Sequence, residues 1–254
     1  MRVATWNVNS IRARLPRLLA WLEERQPDVV CLQETKVVDQ EFPFAEVEGL
    51  GYQVASFGQK TYNGVAILSR LPMERVERGL PGDRSGEARL VTAQVAGVTV
   101  ACLYVPNGQE VGTEKYAFKL QWMAHLRAFL AQRFTPQDLL ILCGDFNVAP
   151  EDRDVWDPEL WRGKILFSEP EKQAFFDLLQ WGLVDCLRLH HPEAGLYTWW
   201  DYRQGAFHRG WGMRLDHILA TPPMARRCSE VTIDRNARKG DKPSDHAPVL
   251  ARFD

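Results

Sequence analysis

The chain has 254 residues, enough for one large domain or two small ones, and the 45% that are hydrophobic favour a compact globule with a sizeable core. Its 31 Lys and Arg residues against 33 Asp and Glu give a net charge of −2, which excludes a strongly basic protein but leaves room for a local basic rim that binds nucleic acid. The N-terminus carries no apolar signal core and no apolar run approaches about 18 residues, so we expect neither export nor a membrane span.

The first half of the chain reads as strands interrupted by one helix. Leu15, Leu18, Leu19 and Leu22 follow the helical spacing i, i+3, i+4, i+7, which predicts an amphipathic helix over 15–25 that ends before Pro27. Short apolar or alternating runs with glycine turns between them predict the strands. These strands cover residues 3–6, 29–32, 52–57, 65–68, 90–95 and 98–105.

The second half contains two more helices and further strands. Phe118, Trp122 and Leu126 mark one helix, while Ser168 with Glu171 forms a capping box for another that Gly182 ends. The strands are predicted at 139–143, 197–200, 214–220, 231–233 and 248–252. Many strands with few helices, and no linker or repeat, predict one α/β domain over 1–254 with two packed sheets and helices outside.

Cysteine usage indicates the redox compartment. The five cysteines are spread along the chain without a CxxC motif, and three of them lie in apolar strand-like runs. This distribution predicts buried, reduced thiols in a reducing, cytoplasmic environment rather than a disulfide framework. The residues are Cys31, Cys102, Cys143, Cys186 and Cys228.

The run from Leu139 to Asn147 is the most informative stretch for chemistry. An apolar strand leads to Gly144, and two polar residues, Asp145 and Asn147, follow two positions apart. In extended chain this spacing points both side chains to the same side. A carboxylate can hold a cation or move a proton, and an amide can stabilise an oxyanion, so the pair suits a phosphate ester, although Gly-Asp after a strand is also a common turn.

Other predicted strands end in the same residue types. Each residue has a structural explanation on its own, such as a turn or a core ion pair, but together they would be an unusual coincidence. Strand ends in an α/β sandwich converge on a crevice where ligands bind. The residues are Asn7, Glu34, Tyr104, Asp216, Asp245 and His246.

The ligand types of this set predict the metal. Oxygen donors without cysteine or clustered histidine favour Mg²⁺, with Mn²⁺ as a substitute, over zinc. Such an ion neutralises phosphate charge and stabilises a leaving oxygen. The sequence therefore predicts metal-dependent phosphoryl chemistry.

At this point the motifs resemble a known family. The chain is similar to the exonuclease III family of apurinic/apyrimidinic endonucleases, within the wider group that includes deoxyribonuclease I and inositol-polyphosphate phosphatases. The resemblance runs in family order through residues 5–14, 26–36, 63–70, 104–108, 144–150, 181–185, 214–219 and 242–249, with a further match at 197–203.

The resemblance implies a four-layered α/β sandwich, in which two mixed sheets face each other between helices. It implies a metal set led by Glu34 and completed by Asn7, Asp145, Asn147, Asp245 and His246. It implies a catalytic set of Tyr104, Asp145, Asn147, Asp216 and His246. In this set Asp216 orients the ring of His246, which contacts the phosphate, and Tyr104 lies near the phosphate as a donor or phenolate. Whether Asp145 or His246 is the general base, and whether one or two ions take part, stay open at this point.

The resemblance also implies how DNA is held. Backbone contacts come from Arg12, Lys36, Tyr62, Arg89 and Asn107, and such contacts carry no base information. Trp199, Met213 and Leu215 match an apolar pocket for a flipped-out sugar without a base, although ordinary core packing would equally explain their apolar character. Met213 stands where some relatives carry tryptophan.

The expected activity is a DNA-repair hydrolase that acts as a monomer on double-stranded DNA. It would cut the backbone 5′ to abasic sites and trim 3′ ends and 3′ blocking groups. A rival enzyme hypothesis keeps the site but takes an inositol phosphate or phospholipid head group. A third hypothesis, an inactive DNA-binding scaffold, predicts at least one lost ligand, whereas the whole set is present.

Overall fold

The structure, a computed structural model, describes residues 1–254 and contains fourteen strands and eight α-helices. The strands are β1 (Arg2–Asn7), β2 (Val29–Gln33), β3 (Gln53–Phe57), β4 (Val65–Ser69), β5 (Met73–Arg78), β6 (Leu90–Val95), β7 (Val98–Tyr104), β8 (Leu140–Asp145), β9 (Val184–Asp185), β10 (Trp199–Trp200), β11 (Gly212–Met213), β12 (Asp216–Ala220), β13 (Cys228–Ile233) and β14 (Val249–Phe253). The helices are α1 (Ile11–Arg25), α2 (Phe44–Glu48), α3 (Glu114–Arg133), α4 (Pro158–Trp161), α5 (Glu169–Trp181), α6 (Cys186–His190), α7 (Ala206–Arg209) and α8 (Pro222–Ala225).

Twelve strands form two six-stranded mixed sheets. The first sheet has the order β13-β14-β1-β2-β4-β3, and the second has the order β5-β6-β7-β8-β12-β9. Each sheet contains one parallel pair, β1 with β2 and β7 with β8, and all other pairs are antiparallel. Helices α1 and α3 connect these parallel pairs, because parallel neighbours need a crossover connection. Strands β10 and β11 form a separate two-stranded ribbon.

The alternation of side chains along each strand creates three layers of apolar contact. In β8, Ile141 and Cys143 belong to the central cluster between the sheets, whereas Leu140 and Leu142 belong to the cluster under α3 and α5. On the other side, β1 and β2 pack their outer faces against α1 and α2. The predicted four-layered sandwich with helices outside is therefore confirmed.

Several element boundaries differ from the predictions. Helix α1 begins at Ile11 instead of Leu15, because Ser10 accepts a hydrogen bond from the Ala13 amide at 3.3 Å and caps the helix four residues earlier. Strand β5 was not predicted, since its sequence MERVER forms a half-exposed edge strand without an apolar pattern. The predicted strands at 197–200 and 214–220 are both shorter, as β10 and β12, because β10 pairs with β11 in a ribbon separate from the second sheet.

The five cysteines are free and buried, as the sequence predicts. None of the eight helices combines the length and the apolar character needed to cross a lipid bilayer.

A buried ion pair fixes α3 against α5. The ammonium of Lys119 pairs with the carboxylate of Glu171, and both side chains are fully buried. Glu171 also accepts hydrogen bonds from the amide and hydroxyl of Ser168, at 3.0 and 2.6 Å, which completes the predicted capping box. Lys119 Nζ further donates to the main-chain oxygens of Asn147 at 2.7 Å and Asn107 at 3.1 Å. The pair therefore links two helices to two polar loops.

Replacing Lys119 with methionine should lower the free energy of unfolding by about 3–5 kcal/mol, because Glu171 is left as an uncompensated buried charge. The double variant Lys119→Met/Glu171→Gln removes that charge and should recover part of the loss. Urea unfolding measures both effects. As a control, Arg133→Met on the same helix breaks an exposed pair with Glu77 and should cost less than about 1 kcal/mol. Equal losses in Lys119→Met and Arg133→Met would contradict the prediction.

Candidate active site

Three titratable side chains converge where the two sheets meet. Ligand atoms of Glu34, Asp145 and His246 all lie within 4.8 Å of one another. Glu34 directly follows β2 of the first sheet, Asp145 ends β8 of the second, and His246 precedes β14. The carboxyl ends of the two parallel pairs therefore open on the same crevice, as the sequence predicts for strand-end residues.

The amide of Asn7 joins the carboxylates of the two sheets. Its Nδ2 donates to Glu34 Oε1 at 2.8 Å and to Asp145 Oδ2 at 2.9 Å, while its Oδ1 accepts the Asn9 amide at 3.0 Å. Asn7 ends β1 and is fully buried, so its amide orientation is fixed by these three contacts. Asn7 therefore lies at the centre of the predicted set, as a donor to the two acids.

His246 is held between two carboxylates. Its Nδ1 donates to Asp216 Oδ2 at 2.8 Å, and its Nε2 lies 3.6 Å from Asp145 Oδ2. Burial opposes the charge on the ring, but the negative charges of Asp216, Asp145 and Asp245 outweigh it and raise the pKa of His246 to about 10. Asp216 thus orients the ring, as predicted, and its second oxygen, Oδ1, is buried without a partner.

Asp145 is the most strongly perturbed acid of the crevice. Burial raises the pKa of Asp145 to about 7, and the charge of Asp216 adds to this, although His246 and hydrogen bonds from Asn7 and Asn147 act in the opposite direction. Strand β8 reaches this position because Gly144 allows close approach to β7. A Cβ at Gly144 would lie 2.0 Å from the Leu103 carbonyl oxygen.

Asn147 is brought to the site by a turn, which is the alternative that the sequence left open for Gly-Asp after a strand. The chain leaves extended conformation after Asp145, and Asn147 has a left-handed φ of 50°. Its amide N–H donates to Asp145 Oδ1 at 2.9 Å, and its side-chain Nδ2 donates to the Val105 carbonyl at 2.9 Å. Glu34 also has a left-handed φ, of 51°. Such strained positions cluster at functional sites.

Tyr104 lies in the wall of the crevice. It ends β7 directly opposite Asp145 in the strand register. Burial, with the negative charges of Glu34 and Asp145, raises the pKa of its phenol well above the usual value. The Arg89 guanidinium lies 4.9 Å from the centre of the Tyr104 ring and donates to the Tyr104 carbonyl at 3.2 Å. Arg89 is thus largely buried beside the site.

Asp245 lies beside the three converging side chains and outside their group. Both of its carboxylate oxygens already accept hydrogen bonds, from Asn9 Nδ2 at 3.1 Å and from Trp199 Nε1 at 3.0 Å. Asn9 in turn accepts from Lys36 Nζ at 2.6 Å. The structure therefore gives Asp245 the contacts of a residue that supports the site, and its metal-binding role stays a prediction.

The residues predicted to bind the DNA backbone differ in their contacts and in their exposure. Lys36 lies 3.1 Å from Glu34 Oε2, and Asn107 donates to Asn147 Oδ1 at 3.3 Å, so both border the crevice. Tyr62 is 67% exposed, and Arg12 is paired with Glu41 at 2.9 Å on the surface.

The three predicted pocket residues differ in accessibility. Trp199 is partly exposed, whereas Met213 and Leu215 are fully buried in a small cluster behind it. Only Trp199 therefore presents a side chain to the surface in this conformation, and the sugar pocket stays a prediction.

Three residues that hold site residues in place were not predicted from the sequence. Ser244 Oγ donates to the Asn7 carbonyl at 2.6 Å and accepts the His246 amide at 3.2 Å. Thr198 Oγ1 accepts a hydrogen bond from the Asp216 amide at 3.0 Å, and Lys119 Nζ donates one to the Asn147 carbonyl at 2.7 Å. Ser244 directly precedes Asp245 and His246, so its place in the sequence could have indicated a role at the site. Lys119 on a helix and Thr198 before a strand have no neighbouring motif that would have indicated one.

Comparison with known proteins agrees with this geometry. A sequence profile of the Endonuclease/Exonuclease/phosphatase family matches residues 4–246. Exodeoxyribonuclease III of Haemophilus influenzae is 35% identical over 266 residues, covering 100% of both chains. The structure of a 3′ phosphatase from Neisseria bound to a product DNA hairpin is 44% identical with a TM-score of 0.95, covering 100% of this chain and 99% of that one.

An AP endonuclease structure from Archaeoglobus fulgidus is likewise 44% identical, with a TM-score of 0.97 and coverage of 100% and 99%. The resemblance drawn from the motifs is thereby confirmed. With a profile match over nearly the whole chain and a full-length relative, this chain belongs to the endonuclease/exonuclease/phosphatase family.

Proposed function

We propose that this protein is a metal-dependent DNA-repair phosphodiesterase. It cuts the backbone 5′ to abasic sites and removes 3′ blocking groups and 3′-terminal nucleotides from double-stranded DNA. The convergence of Glu34, Asp145 and His246 around the Asn7 amide carries the proposal. The activities named for the relatives, exodeoxyribonuclease III, 3′ phosphatase and AP endonuclease, support the DNA substrate.

The donor set fits a hard divalent cation. Glu34 and Asp145 bring carboxylate oxygens from opposite sheets to within hydrogen-bond reach of one amide. Of the three side chains that could ligate a metal here, two therefore offer oxygen and only His246 offers nitrogen. Glu34, Asp145 and the neighbouring predicted ligands would hold Mg²⁺, with Mn²⁺ as a substitute. When bound, the ion neutralises phosphate charge and stabilises the leaving oxygen.

The chain's own residues then have separate tasks. Asp145 takes a proton from the attacking water, since it is buried, immobilised by Asn7 and directly beside His246. Asn147, whose position is fixed by Val105 and Lys119, hydrogen-bonds the non-bridging phosphate oxygens. His246, oriented by Asp216, contacts the phosphate, and Tyr104 donates from the opposite wall. We infer that residues 1–254 act as one catalytic domain, as a monomer, in the cytoplasm.

Purified protein with Mg²⁺ should nick a duplex that contains a single abasic site, on its 5′ side, because the cation is needed to offset phosphate charge. EDTA should stop the reaction. The products are resolved on a denaturing gel, with an otherwise identical duplex without the abasic site as the control. An abasic duplex that stays intact after long incubation with Mg²⁺ would refute the proposed function.

Asp145→Asn should lower turnover on the abasic duplex by about 10²–10⁴-fold, because it removes the group that moves the proton. DNA binding should be retained, since Asp145 is 1% exposed and is not among the residues predicted to contact the DNA backbone. Single-turnover kinetics and a binding titration in EDTA measure the two effects. The matched control is Glu48→Gln, the same acid-to-amide change at an exposed residue of α2 outside the candidate set. Loss of DNA binding together with turnover would show that the role is wrongly assigned.

A further inference from the structure

A cavity of about 290 Å³ lies between two loop segments close to the candidate active site. One segment, residues 201–208, follows β10, and the other, residues 238–243, ends three residues before His246. A volume at the lower end of the usual range for ligand pockets indicates a small ligand. We call it the Arg238 cavity, and its walls include Tyr202, Phe207, His208, Arg238, Lys239 and Pro243.

Arg238 is buried in the wall of this cavity without a counter-ion. The residue is 6% exposed, and its Nε is buried without a hydrogen-bond partner. No carboxylate forms an ion pair with the guanidinium, and Asp245 acts on it only through the longer-range Coulomb interaction. Burial therefore lowers the pKa of Arg238, although an arginine stays protonated at neutral pH. Because buried charges are normally paired, this charge is suited to an anionic ligand.

Aromatic rings hold the guanidinium in place instead of acids. The Cζ of Arg238 lies 4.9 Å from the centre of the Phe207 ring and 5.5 Å from that of Tyr202. The Tyr202 hydroxyl donates to the Pro243 carbonyl at 2.8 Å, which fixes the second ring. Cation–π contacts stabilise the positive charge, but they satisfy none of the five N–H donors of an arginine.

The backbone that carries Arg238 is fixed from α1. The guanidinium of Arg17 donates to the main-chain carbonyls of Ala237 at 2.8 Å and Asp241 at 2.6 Å. These two carbonyls lie on either side of Arg238 in the chain. A site that is held in one arrangement before the ligand arrives loses less entropy on binding.

The charges around the cavity are mainly positive. Lys239 and His208 are exposed residues of its wall. The one carboxylate in the wall, Asp201, is already paired with Arg203 at 2.7 Å. The positive charge of the wall therefore favours an anion with more than one charge.

We propose that the Arg238 cavity binds the phosphate group of a small phosphate monoester or of inorganic phosphate. A terminal phosphate carries about −1.5 to −2 charges and three acceptor oxygens, and an arginine can bind two of these side by side. An internal phosphodiester of duplex DNA has one charge and a sugar on each side, so it fits a small cavity with a buried arginine less well.

The inference goes beyond the proposed function and does not depend on it. Both small products of the proposed reactions, 5′-mononucleotides and inorganic phosphate, carry the group that the cavity would bind. The two sources share this chemistry and differ only in the nucleoside.

The test titrates ¹⁵N-labelled protein with sodium phosphate in EDTA at constant ionic strength, without DNA, and follows the NMR spectrum. The Arg238 Nε–H signal, assigned by its loss in Arg238→Lys, should shift together with the amides of Gly205 and Gly240. The shifts should saturate with a dissociation constant on the order of 1 mM. Arg238→Met should weaken phosphate binding at these amides by at least about tenfold.

Two further variants separate binding from folding and from general charge effects. Arg238→Lys keeps the charge but loses the planar pair of donors, so its affinity should lie between those of the wild type and Arg238→Met. The matched control is Arg235→Met, which removes the same charge from an exposed residue outside the cavity wall. It should bind phosphate within about twofold of the wild type.

Two more ligands identify the source of the phosphate group. A 5′-deoxynucleoside monophosphate that binds at least about fivefold more tightly than phosphate would identify a mononucleotide site. Equal affinities would identify a site for the phosphate group alone. The nucleoside without its phosphate should leave the cavity signals unchanged.

The absence of saturable shifts, or shifts confined to the crevice around Asn147 and His246, would overturn the proposal. Unchanged phosphate binding in Arg238→Met, or an equal loss in Arg235→Met, would also overturn it. A protein whose cavity ignores phosphate but whose Arg238→Met variant binds duplex DNA more weakly would show that the arginine serves DNA instead. Nicking of abasic DNA is measured separately with Mg²⁺, so its outcome leaves the cavity proposal untouched.

Discussion

The side-chain amide of Asn7 links two carboxylates from opposite sheets, and the rest of the site depends on these two hydrogen bonds. Asn7 Nδ2 donates at once to Glu34 of the first sheet and Asp145 of the second. Two acids so close would repel each other without a neutral donor or a cation between them. The topology makes this meeting possible, because each sheet has a parallel pair whose carboxyl ends open on the same crevice. The sandwich is therefore the scaffold that brings distant segments of the chain to one point.

A second layer of contacts keeps the polar side chains in place. Ser244 ties the strand that carries Asn7 to the loop that carries His246, and Asp216 fixes the imidazole. Lys119 reaches the Asn147 loop from the helical layer. These contacts restrict the rotation of the reacting groups. Groups that are already in place can stabilise a transition state without first having to reorganise.

The sequence predicted the layers and the convergence because strand periodicity and strand-end polarity are local signals. The apolar run at 139–143 and the Ser168–Glu171 capping box both appear in the structure as expected. The turn at Asn147 was one of two interpretations of the run after Gly144, and the sequence did not decide between them because extended spacing and a turn predict the same neighbours. The buried Lys119 was missed because a lysine on a helix is normally exposed. The hydrogen bonds that Asp245 accepts from Asn9 and Trp199 are tertiary contacts that no local pattern encodes.

The most direct test of the convergence is a double-mutant cycle between the two sheets. Glu34→Gln, Asp145→Asn and the double variant are compared by kcat/KM on the abasic duplex. Residues that serve one catalytic centre are strongly non-additive, so the double variant should be little slower than the slower single variant. Losses that multiply across the cycle would show that Glu34 and Asp145 act independently, and would contradict a single site assembled from both sheets.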